Sequence, residues 1–70
     1  MNVKEKIAER LDSLQLMMES QEHLSNPKLV TERLCSVEKF WTYLCENDRE
    51  YVSSVRFALK EGLEWKSQPK

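Results

Sequence analysis

The sequence predicts a small all-α domain, most simply a three-helix bundle. Apolar residues recur at spacings of three and four along most of its 70 residues, the period of an amphipathic helix. Turn formers are scarce, with one glycine and two prolines, while Glu, Lys, Leu and Arg, good helix formers, are common. Two polar breaks, Ser25-Asn26-Pro27 and Glu46-Asn47-Asp48, divide the chain into helices near 3–24, 27–46 and 48–62, with a tail at 66–70. A helical hairpin plus a third helix, or a two-helix hairpin that dimerises, fits the same pattern. A chain this short builds one domain and one modest core.

In the first segment Val3, Ile7, Leu11, Leu14 and Met18 form one stripe. Met17 and Leu24 widen it, and Leu16 lies off it. Asn2 is placed to cap this helix, with Glu5 three positions on, the pattern of a capping box. Lys4, Glu5, Lys6, Glu9, Arg10 and Asp12 form the solvated back. The first break offers Asn26 as N-cap and Pro27 at the first helical position. The second helix carries the cleanest heptad, Val30, Leu34, Val37, Trp41 and Leu44. Asn47 then serves as N-cap of the third helix, with an acidic residue, Glu50, three positions later. Tyr51, Val52, Val55, Ala58, Leu59 and Gly62 share one side of that helix, and Phe57 falls away from it. Gly62 is placed to end the helix, with Leu63 supplying the hydrophobic contact that follows such a cap.

Composition excludes several functions. With eleven basic and twelve acidic side chains the net charge is -1, too little basic bias for phosphate-backbone binding by counterion release. No apolar run exceeds three residues, as in Leu16-Met17-Met18, far short of a membrane span or a signal-peptide core. A cytoplasmic protein is therefore expected, with no membrane contact. Cys35 and Cys45 fall in one expected helix, about 15 Å apart along its axis. That is beyond the roughly 7 Å a disulfide allows, so reduced, half-buried thiols are expected. His23 is the single histidine; with Glu19 one turn before it, it lacks the further ligands zinc requires. It is read as a surface residue near a helix end. No phosphate loop, nucleophile motif or oxyanion-hole candidate occurs. The chain is expected to be no enzyme and to carry no cofactor or metal.

The aromatic residues point elsewhere. Phe40, Trp41, Tyr43, Tyr51, Phe57 and Trp65 all lie in the second half. A core of this size buries about three or four large rings. Phe40, Trp41, Tyr51 and Trp65 suit the core. The surplus, Tyr43, Phe57 and Trp65, together with Arg49 and Arg56, is the candidate partner-binding surface, because aromatics and Arg dominate interface hot spots. Trp65 thus stands in both sets.

The features Phe40-Trp41, Leu44, Asp48-Arg49 with Tyr51, Val55-Arg56, Ala58 and Glu64-Trp65 resemble small uncharacterised proteins of T4-like cyanophages. The likeness covers about the last half of the chain, with a weaker echo over Ile7 to Leu24. It implies a phage product acting in a bacterial cytoplasm, and it implies no activity. The functional expectation is a small non-enzymatic interaction module, an adaptor or modulator of a larger host or phage protein. A nucleic-acid-associated or transcription-regulating protein is the second reading. A self-associating subunit, with a second copy as its own partner, is the third.

Overall fold

The structure, a computed structural model, describes residues 2–66. It is all-α, and no strand occurs among the described residues. Four helices follow in order: α1 (Val3–Glu19), α2 (Glu22–Ser25), α3 (Pro27–Glu38) and α4 (Glu46–Glu61), with a 3₁₀ turn at Trp41–Tyr43 between α3 and α4. Of the tail expected at 66–70, only Lys66 lies within the described residues.

Local chemistry sets each boundary. The side chain of Asn2 accepts a hydrogen bond from the Lys4 amide at 2.9 Å, closing the start of α1. The helix expected over 3–24 is instead cut at Gln21, which adopts a left-handed backbone with φ 59°. A non-glycine residue there costs about 1–2 kcal/mol. Two hydrogen bonds between the Gln21 side chain and the backbone of Trp65, at 2.7 and 2.8 Å, offset that cost. After the single turn of α2, Asn26 leaves the helical region with φ -140° and ψ 68°, and Pro27 opens α3, in keeping with the steric bar on helical backbone before proline. The Asn26 side chain makes no capping bond.

The second helix ends at Glu38 rather than 46. Phe40 donates its amide to the Val37 carbonyl, and the chain tightens into the 3₁₀ turn. A 3₁₀ turn has three residues per turn rather than 3.6, so the heptad register is lost. Trp41 swings out to 39% exposure while Leu44 is buried. Cys45, not Asn47, is the N-cap of α4, which begins at Glu46. Cys35 and Cys45 therefore do not share a helix, and both are exposed free thiols rather than half-buried ones. Gly62 ends α4 with φ 66°, and Leu63 donates its amide to the Ala58 carbonyl at 3.0 Å. This is the longer bond of a Schellman cap.

α3 is the element against which α1, α2 and α4 all pack. Ile7, Leu14 and Met18 of α1 meet Val30, Leu34 and Val37 of α3 in the core. Leu44 and α4's Val52, Val55 and Ala58 complete it. Val3, at the head of the expected α1 stripe, is 38% exposed. α4 runs back across α3: its Arg56 meets Glu38 at the end of α3. The residues after α4 reach Gln21 and His23, next to the start of α3. α1 and α4 approach each other less closely and leave a cleft between them.

Candidate functional site: the aromatic turn and its cleft

The 3₁₀ turn presents rings that the small core does not take in. Tyr43 is 67% exposed and Trp41 39%. Phe40 is half-buried against the core, with its ring 6.3 Å from that of Tyr43 in a tilted arrangement. Two arginines hold the turn. The Arg49 guanidinium lies 5.5 Å from the centre of the Trp41 ring, and its Nε donates to the Trp41 carbonyl at 3.1 Å. The Arg10 guanidinium lies 5.2 Å from the Phe40 ring and donates to the Ser36 carbonyl at 3.0 Å. Cation–π contacts paired with hydrogen bonds in this way restrict the rotamers of both partners.

Beside the turn lies the cleft between α1 and α4, with a volume of about 560 Å³. Ile7, Leu11 and Tyr51 give it an apolar floor, and Lys4, Asp12, Gln15 and Asp48 supply polar groups of both signs. Tyr43 and Cys45 belong to the same lining, so the aromatic turn and the cleft form one continuous surface. The Tyr51 hydroxyl is buried with no hydrogen-bond partner among the described residues. Burial, and to a smaller degree the Glu19 carboxylate, push its pKa up to about 12.

The structure separates the residues expected to form one partner surface. Arg49 packs on Trp41 of the same 3₁₀ turn that carries Tyr43. Arg56 is paired with Glu38. Phe57 is 60% exposed on α4, about 140° around the helix from buried Val52, among polar neighbours. Trp65, which stood in both sets, falls in the core one: it is half-buried, packed on the core, with its ring edge-on to Tyr51 at 5.6 Å between centres. A Trp just past a helix end can fold back when the cap before it turns the backbone, and here Gly62 does so. Trp41, expected in the core stripe, belongs to the exposed turn.

His23 is also corrected. It is 2% exposed, and its Nε2 lies 2.6 Å from the Leu63 carbonyl. A carbonyl only accepts, so Nε2 carries a hydrogen and donates it. Nδ1 is buried with no partner among the described residues. The partners of Gln21 and His23 lie forty or more positions away in the chain, so no local pattern could have marked them.

No group of three His, Cys, Asp or Glu side chains able to hold a metal occurs among the described residues. No helix among them is long and apolar enough to cross a membrane. Compared with models of protein families, with curated proteins and with solved structures, the chain finds no match.

Proposed function

We propose that the protein is a small interaction module, without catalysis of its own, that grips a protein partner through Trp41, Tyr43, Arg49 and the adjoining α1–α4 cleft. One observation carries the reading: two exposed rings are held on a turn whose geometry Arg49 fixes, at the edge of an apolar-floored cleft. Trp, Tyr and Arg are the residues that most often dominate binding energy. Rings already held in place lose little entropy on association. The mixed charges around the cleft suit a polar rim around such an anchor. The resemblance to T4-like cyanophage proteins suggests a partner in the bacterial cytoplasm, either a host protein or a phage protein. Phe57 and Arg56 form a separate patch in this reading, outside the main contact.

The test is affinity capture from host lysate with the wild type, with Trp41→Ala/Tyr43→Ala, and with Leu16→Ser as a control at another exposed apolar site (68% exposed). A retained protein should be lost with the double variant and kept with the control. If the double variant retains the same set, the reading fails. Nucleic-acid binding is a separate outcome: with so little net charge, no shift of labelled single-stranded DNA or RNA is expected even at low salt.

A further inference from the structure

The residues after Gly62 lie outside any helix and are held by side chains. The Gln21 amide group reads both backbone groups of Trp65: its Nε2 donates to the Trp65 carbonyl and its Oε1 accepts from the Trp65 amide. This is the pairing that a neighbouring strand would offer to one edge of an extended chain. In an extended chain the carbonyl two residues earlier points to that same edge, and His23 Nε2 donates to that one, on Leu63. The indole of Trp65 completes the seat, edge-on to Tyr51. Leu63 and Glu64 are exposed, so the seat grips one backbone edge and one aromatic side chain. Gln21 holds its left-handed backbone to make this contact.

We propose that the α1–α2 elbow is a receptor site for a segment gripped by its backbone edge and its Trp side chain, and that two copies of the chain exchange Leu63–Trp65 so that each fills the other's elbow. None of the three contacts depends on the segment belonging to the same chain, so exchange conserves all of them and closes a symmetric dimer. The hinge is unpacked: a Cβ built on Gly62 meets nothing within 4 Å. The segment's own chain competes at an effective concentration on the order of millimolar, so the wild type is a monomer at micromolar concentration. Exchange grows when closure within one chain is weakened and the seat is left intact. This proposal stands apart from the reading of the aromatic turn, and its deciding variants lie at Gly62 and Gln21, with Trp41→Phe serving only as a spectroscopic background.

Gly62→Val is the discriminating variant. Its Cβ meets no neighbour, and it penalises the positive φ that closure requires. Sedimentation equilibrium should show a dimer that forms at about tenfold lower concentration than in the wild type. The emission of Trp65, followed in a Trp41→Phe background, should keep its wild-type position in the dimer. Adding Gln21→Ala should return the variant to monomer. A Gly62→Val protein that stays monomeric, or a dimer indifferent to Gln21→Ala, overturns the proposal. Should Gly62→Val fail to fold by circular dichroism, the wild type decides. A free peptide of sequence Gly62–Lys66, added at several millimolar to labelled full-length protein, should move the Gln21 side-chain amide and the Trp65 indole resonances. Unmoved resonances reject the receptor site.

Discussion

The Tyr51 hydroxyl is a polar group taken from water without a partner, which ordinarily costs about 1–3 kcal/mol. Tyr51→Phe removes that cost and keeps the ring that Trp65 packs on. Urea unfolding should therefore show Tyr51→Phe as stable as the wild type or more so, by up to about 1 kcal/mol. The same group makes stability depend on pH. Its pKa is 10.0 ordinarily and about 12 in the fold. The folded state keeps the proton longer, so the protective effect is complete below pH 10 and is lost as pH rises through 12. The decline over that window should be smaller in Tyr51→Phe, measured by denaturant midpoint against pH. Gln21→Ala, by contrast, removes two hydrogen bonds and leaves the positive φ in place. It should destabilise by about 1–3 kcal/mol in the same measurement.

Among the elements, the 3₁₀ turn decides most. It places Leu44 in the core and Trp41 outside, although both stand on one heptad stripe in the sequence. Leu44→Ala should cost about 2–4 kcal/mol, and Trp41→Ala less than about 1 kcal/mol, an order opposite to side-chain size; thermal and urea unfolding would measure it. The stripes of α1 and α4 were legible, because Ile7, Leu14, Met18, Val52, Val55 and Ala58 hold the 3.6-residue period through to burial. So were the Asn2 cap, the Pro27 start and the Gly62 stop, each set by the chemistry of one or two residues. The breaks at Gln21 and Lys39–Leu44 were not. Neither contains glycine or proline, and each has a partner distant in sequence, Trp65 for Gln21 and Arg10 for Phe40, while Arg49, eight positions on, holds Trp41. In the candidate site, composition and excess of rings pointed to Tyr43 and Arg49. The inward turn of Trp65 and the outward turn of Trp41 depend on tertiary geometry that spacing does not encode.

The whole molecule measures 33 × 27 × 17 Å, so its thin dimension is about that of two packed helices. In so thin a body few side chains are out of reach of water. This explains why Leu11, Phe40, Tyr51 and Trp65 are half-buried around a core made largely of valines and leucines. Surface electrostatics add little at this scale. The Arg56–Glu38 pair joins α4 to α3, but the arginine side chain is 61% exposed. Arg56→Ala should change stability by less than about 1 kcal/mol, and by less still in high salt.

The two thiols supply a built-in footprinting assay. Cys45 lines the α1–α4 cleft, whereas Cys35 sits on α3 outside that lining, and both are open to solvent. An alkylating reagent therefore modifies both in the free protein. A molecule seated in the cleft would slow the reaction at Cys45 and spare that at Cys35, so the ratio of the two rates reports occupancy with no engineered label.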